Sequence, residues 1–281
     1  MFRFVKNIIS IILIYFSRYL DKNGIIILEY HRVSRNISSN DVHSITPEEF
    51  RFQIKLLKDL GYKFLDLPSA IQLLKHGLAE KDKYIVLTFD DGHKDNLTFA
   101  YPILKEFNAV ATFFIISDYV GKTGWLDNFG ILHNEKSNNF QRWELLNWEE
   151  IKSMKDHFFI QVHGRTHRQM DKLSLKELDD ELQISRVKIN SELNINALVF
   201  CYPFGRYNDQ VVTRTNENGY IGACSTNQGI NIPQETNLWK LKRNEVGRGI
   251  SKNQFRLLLT NQIITYNYLS TLFNMFKKQD A

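Results

Sequence analysis

Six short runs of β-branched and aromatic residues recur along the chain, and amphipathic stretches separate most of them. GIIILEYH (24–31), KYIVLTF (83–89), VATFFII (110–116), FFIQV (158–162), ALVFCYPFG (197–205) and YIGACST (220–226) read as strands. In TPEEFRFQIKLLKDLGY (46–62), Phe50, Ile54, Leu57 and Leu60 fall on one helical face. Thr46 stands there as N-cap, Pro47 at the first position, Glu49 at the third, and Gly61 as the stop. SAIQLLKHG (69–77), NWEEIKSMKDH (147–157), SLKELDDELQISRVKINSEL (174–193) and NDQVVTRTNENG (208–219) are further helices, and DNLTFAYPILKEF (95–107) is one that Pro102 makes irregular. Parallel strands need a crossover connection, usually a helix. The alternation therefore predicts an α/β fold of parallel units, with no internal repeat and no low-complexity tract.

The two ends read differently. In MFRFVKNIISIILIYFSRYLDKNG, Arg3 and Lys6 precede an apolar run from Ile8 to Phe16, and Arg18 follows it. The run is short against the roughly 20 residues a membrane span needs, and no small-residue cleavage site follows. An interfacial helix or uncleaved anchor over residues 1–23 fits this pattern, the other reading being a packed helix of a soluble domain. From about Asn253 the chain reads as helix to the end, apolar on a broad face with basic residues last. The net charge of +5 is a mild excess that suits an anionic membrane surface, and no dense Lys/Arg run supports nucleic acid. With 281 residues, 43% hydrophobic and 24% charged, a packed core is expected and general disorder is excluded. Cys201 and Cys224 read as two buried thiols, with a disulfide left open.

Three stretches at predicted strand ends carry chemistry, and in β/α barrels the C-terminal strand ends form the active face. TFDDG sets Asp90 and Asp91 side by side, an arrangement that costs repulsion unless something pairs with it. VHGRTH places His163 and His167 four apart, which with one carboxylate makes the three-donor open site of catalytic zinc. In FCYPFG, Pro203 and Gly205 force an irregular backbone that can aim N–H groups at a pocket. Singly, these are a helix cap, a pair of surface histidines and a turn. Together and in this order they indicate an active site.

These stretches resemble the polysaccharide deacetylase family, carbohydrate esterase family 4, which removes N- or O-acetyl groups from sugars. TFDDG and HGRTH match its two most specific motifs, YPFG resembles its third, and the match covers roughly residues 24–250. The resemblance implies a distorted (β/α)7 barrel, to which the two ends add helical N- and C-terminal extensions. The catalytic domain would be 24–250, with an amphipathic helix over 251–281. Asp91, His163 and His167 would bind one divalent metal ion, zinc by default, with cobalt, nickel or another divalent ion open. Asp90 would be the general base, and the backbone N–H of Phe204 would stabilise the oxyanion. Tyr202, Pro203, Trp125 and Asp127 would line the sugar groove. Trp148 reads as helix packing.

The chain departs from the family pattern in two places. Many members supply a general acid from a late Leu-x-His motif, but the last histidine here is His167. LEYHRVS places His31 at the end of the first strand, and a subgroup acting on surface polysaccharides resembles this chain in having Tyr-His there. His31 is therefore the expected acid, a core histidine being its other reading. Cys201 stands where many relatives carry an arginine that orients the base, and Arg243 in LWKLKRNEV is the candidate replacement. His43, His76, His93, His133 and His157 read as surface or loop residues. The expected activity is metal-dependent deacetylation of an N-acetylated sugar in a surface polysaccharide or its lipid-linked precursor, in a bacterial-type, membrane-associated protein whose facing is open. Deformylation of a lipid-linked aminosugar and an inactive glycan-binding module are the rivals. Sugar, linkage and oligomeric state are not legible.

Overall fold

The apolar runs become strands buried along most of their length, which is why they are continuous rather than alternating. The structure, a computed structural model, describes residues 2–20, 23–37, 41–79, 82–126, 132–133 and 141–279. Among the described residues the main strands are Ile25–Tyr30 (β1), Lys83–Phe89 (β2), Ala111–Ile115 (β3), Phe158–Val162 (β4), Val199–Cys201 (β5), Gly222–Cys224 (β6) and Asn244–Glu245 (β7). They lie in the order β6-β5-β4-β3-β2-β1-β7, every neighbour parallel. Just before β7, the Leu241 N–H donates to Ala223 O at 2.9 Å and Leu241 O accepts from Ser225 N–H at 2.9 Å. Residues 241–245 thus touch both ends of the sheet and close it into the distorted (β/α)7 barrel. The distortion has a visible source: β2 pairs with β3 only at Thr88–Thr112 and Phe89–Phe113, while Tyr62–Leu65 pairs beside its first half.

The capping signals act as read. Thr46 with Glu49, Asn147 with Glu150 and Ser174 with Glu177 form reciprocal capping boxes. Two helices contain π-type turns, Asn96–Ala100 before Tyr101–Phe107, and Asp180–Ile184 between Leu175–Asp179 and Ser185–Leu193. The first absorbs Pro102, which sits in the opening turn of the α-helical part, where its missing N–H is harmless. The expected single C-terminal helix is two, Lys252–Leu258 and Gln262–Gln279. Thr260 makes the break: its hydroxyl donates to Leu257 O at 2.8 Å and accepts from Gln262 N–H at 3.2 Å.

The N-terminal helix, Phe2–Leu20, packs against those two helices. Ile9, Leu13 and Ile14 face the core, while Ile8, Ile11, Ile12, Tyr15 and Phe16 are exposed. No helix among the described residues is long and apolar enough to cross a membrane. Cys201 and Cys224 are register partners on β5 and β6 and are free, buried thiols.

Candidate active site

The chain reverses abruptly at the end of β2. Asp90 N–H still donates to Tyr30 O at 3.0 Å as the last rung with β1, but Asp91 has φ 75° and Gly92 φ 87°. A left-handed aspartate is strained by roughly 1–3 kcal/mol. Asp91 thereby leaves the strand alternation, and both carboxylates reach one pocket.

Asp91 Oδ1 lies 3.3 Å from His163 Nε2 and 3.3 Å from His167 Nε2, all three side chains buried. Among the described residues that oxygen has no hydrogen-bond partner. Tetrahedral ligands at about 2.1 Å from a zinc ion stand about 3.4 Å apart, so this triad fits one divalent cation. His163 Nδ1 is 2.9 Å from Cys201 O, which sets the Nδ1–H tautomer and leaves Nε2 as the donor. Burial draws His167 down to about 4 and so keeps it neutral, whereas at His163 burial is outweighed by Asp90 and Asp91, which raise it. His93 Nε2 stands 3.4 Å from Asp91 Oδ2 and is buried. The expectation that His93 is a surface or loop residue is corrected: it braces the second oxygen of the triad carboxylate. His157 is also half-buried, its Nδ1 2.8 Å from Ala109 O.

Asp90 has a different partner. Arg243 Nη1 and Nη2 donate to its two oxygens at 2.8 Å each, a fork-to-fork pair. The guanidinium is almost fully buried and also donates to Ser225 O at 3.0 Å and to Thr88 Oγ1 at 3.2 Å. Cys201 Sγ stands 3.5 Å from Asp90 Oδ2, so the thiol occupies the other side of the same carboxylate. Glu29, missed in the sequence, shares the cation, with Oε1 3.3 Å from Arg243 Nη2. One guanidinium does not offset two buried carboxylates equally. Burial raises Asp90, but Arg243 and His163 outweigh it and hold it ionised; burial dominates at Glu29 and raises it.

The VHGRTH loop is held from beneath. Glu181, in the π turn, accepts from Arg165 N–H at 2.6 Å and Thr166 N–H at 3.0 Å and bonds the Thr166 hydroxyl. His167 is left-handed at φ 58°. Phe204 is likewise left-handed at φ 59°, and its ring lies 4.6 Å from that of His167.

Tyr202 does not line the groove. It is fully buried, and its hydroxyl donates to Trp239 O at 3.1 Å. Neighbours on an extended segment point to opposite sides, so Cys201 takes the inside and Tyr202 packs with Phe200 and Tyr207 outside. Pro203 is buried as well, and Phe204 is the member of the stretch whose side chain is exposed at the site. The Trp125 side chain and all of Asp127 lie outside the described residues. Trp148 packs against the core. Trp143, also missed, is buried with its ring 5.7 Å from His167.

His31 follows β1 on the same face. His31, Asp90 and Glu29 each present an atom within 4.8 Å of the others. Burial lowers His31 below the usual histidine range, opposed by Asp91 and Asp90.

A barrel with donors for one ion and a separately clamped carboxylate on its active face defines a framework for hydrolysis. The profile of polysaccharide deacetylases matches residues 78–223, just over half of the chain, which therefore belongs to that family and is a hydrolase of sugar N-acetyl amide bonds. A candidate polysaccharide deacetylase of Bacillus subtilis is 27% identical over 82% of this chain and 74% of its own. The poly-β-1,6-N-acetyl-D-glucosamine N-deacetylase of Staphylococcus epidermidis is 26% identical over 71% of each chain. Among solved structures, a Streptococcus pyogenes deacetylase in complex with acetate superposes with TM-score 0.70 at 28% identity, covering 85% of this chain and 98% of that one.

Proposed function

We propose that the protein is a metal-dependent N-deacetylase of an aminosugar in a surface polysaccharide or its lipid-linked precursor. The observation that carries this reading is the division of labour between adjacent carboxylates. Asp91 faces the Nε2 atoms of two histidines, while Asp90 is clamped by Arg243 beside them. A divalent ion on Asp91, His163 and His167 would acidify a coordinated water and polarise the acyl carbonyl. Asp90 takes a proton from the attacking water. The Phe204 backbone N–H donates to the oxyanion, and His31, entering the step protonated, gives its proton to the departing amine and is left neutral. Poly-β-1,6-N-acetylglucosamine, the polymer in the names of the staphylococcal relatives, is the first substrate to assay.

The chain is further proposed to lie against a membrane. Ile8, Ile11, Ile12, Tyr15 and Phe16 form an exposed apolar strip on a helix that carries Arg3, Lys6 and Arg18 and no acidic residue.

The test is acyl release by Asp90→Asn and Asp91→Asn, with metal content measured on each. Asp90→Asn is expected to keep its metal and lose turnover, and Asp91→Asn to lose the metal. Unchanged turnover in Asp90→Asn would sink the mechanism. Separate measurement of acetate and formate distinguishes deacetylation from deformylation.

A further inference from the structure

A second group of donors lies at the rim of the site, outside the Asp91 triad. His31, His43 and Glu245 each present a ligand atom within 4.8 Å of the other two. The ring centroids of His31 and His43 are 4.8 Å apart, and His43 Nδ1 is 2.5 Å from Glu245 Oε1.

The fold builds this group. Glu245 on β7 is the register partner of Glu29 on β1, and His31 lies two residues beyond Glu29, just past the end of β1. His43 is fixed by its loop. Asp41 accepts from the N–H groups of His43 at 3.2 Å and Ser44 at 3.1 Å, and from the Ser44 hydroxyl at 2.6 Å. Val42 O accepts from Arg248 N–H at 2.8 Å, which ties the loop to the segment after Glu245. That approach needs Gly247, since a Cβ there would stand 2.6 Å from Val42 O. Two backbones are thus locked so that His43 meets Glu245.

The donors suit a borderline cation. Two imidazoles and one carboxylate form an open three-ligand set of the type zinc accepts. Ligands about 3.4 Å apart would require the 2.5 Å His43–Glu245 contact to widen by about 1 Å. Carboxylates surround the group: Glu245, Asp91 and Asp41 face His43, and Asp91, Asp90 and Glu245 face His31, where they oppose the burial and the neighbouring His43 that lower it.

We propose that His31, His43 and Glu245 form a second divalent-cation site, with zinc its preferred ion and a weaker hold than the buried triad. His43 and Glu245 are 48% and 43% exposed, against 5% for Asp91, so water competes for their lone pairs. A cation there takes the lone pair of the histidine proposed as general acid. Zinc in excess is therefore an inhibitor, a consequence that rests on the function proposed above.

The experiment is equilibrium dialysis of the full chain against zinc after chelator treatment, with acetate release followed on the same samples. The native chain is expected to bind two equivalents in two steps, and His43→Ala and Glu245→Gln to retain only the tighter one. Excess zinc should lower native turnover at least tenfold and leave both variants within threefold of their one-equivalent rate. One equivalent in the native chain, or two in both variants, overturns the site. Two equivalents without inhibition leave the site standing and overturn the acid role of His31. Binding needs no turnover, so failure of the proposed activity does not obscure it.

Discussion

Replacing Arg243 with methionine removes the charge at similar volume and isolates what the guanidinium does. It is 1% exposed and holds Asp90 through two 2.8 Å bonds, with Glu29 at 3.3 Å. Breaking a buried ion pair from one side typically costs about 3–5 kcal/mol, because the other charge stays behind without a partner. Set against a total stability of about 5–15 kcal/mol, that is a large fraction. For a domain of this size it corresponds to a fall in melting temperature of roughly 6–20 °C. Arg243→Met/Asp90→Asn, which also removes the stranded charge, should recover most of the loss. The gentler Arg243→Lys keeps one charge but cannot grip both oxygens. Its expected effect is kinetic: a base displaced by about 1 Å loses roughly 10²-fold in turnover. Thermal unfolding by circular dichroism, metal content and acetate release on the same preparations decide the matter. If Arg243→Met melts within about 2 °C of the native chain and Arg243→Lys turns over within threefold of it, Asp90 needs no clamp and the reasoning is wrong.

His93→Ala removes the brace on Asp91 Oδ2 and should weaken metal affinity roughly 10–100-fold while sparing turnover at saturating metal; a metal titration showing native affinity would refute it. Gly205→Ala should cost about 1–3 kcal/mol in chemical denaturation, since Gly205 has φ 64° and a Cβ would stand within contact of the Thr226 hydroxyl. Asp118 pairs with Arg165 at 2.7 Å and Lys188 at 3.0 Å, and although burial opposes it these partners lower its pKa below 3.8. A lowered carboxylate stabilises the fold above its unfolded pKa and loses that contribution as pH falls through the folded value. Asp118→Asn should therefore be less stable than the native chain by up to about 1 kcal/mol at pH 7, with the gap closing in acid; a gap constant from pH 7 to 2 would contradict it.

Residues that are neighbours in sequence were the legible ones. Asp90 and Asp91 announce themselves because two carboxylates cap an apolar strand, and His163 and His167 because four residues separate them in one loop. Arg243 was found only by asking which cation could replace the arginine absent at Cys201. Nothing local marks it, since the contact spans 153 residues. His93 and Glu29 were missed for the same reason: a histidine after a turn and a glutamate in a strand look alike whether they meet water or a triad. The parallel β/α units followed from the alternation of strands and helices and the barrel from the family resemblance, but the closing strand is two residues long, too short to give a period. Tyr202 was misplaced because strand alternation was not carried through Cys201, which takes the inward position.

The ring closes with the last strand among the described residues, and residues 243–245 deliver Arg243 and Glu245. β1, built among the first residues, waits at the edge of the sheet for a neighbour that is synthesised more than 200 residues later. A nascent chain can thus display its aspartates and histidines in order while Asp90 still lacks its counter-charge. Long-range parallel pairing is also the slow part of folding. A fragment ending before Arg243 leaves Asp90 buried without its guanidinium.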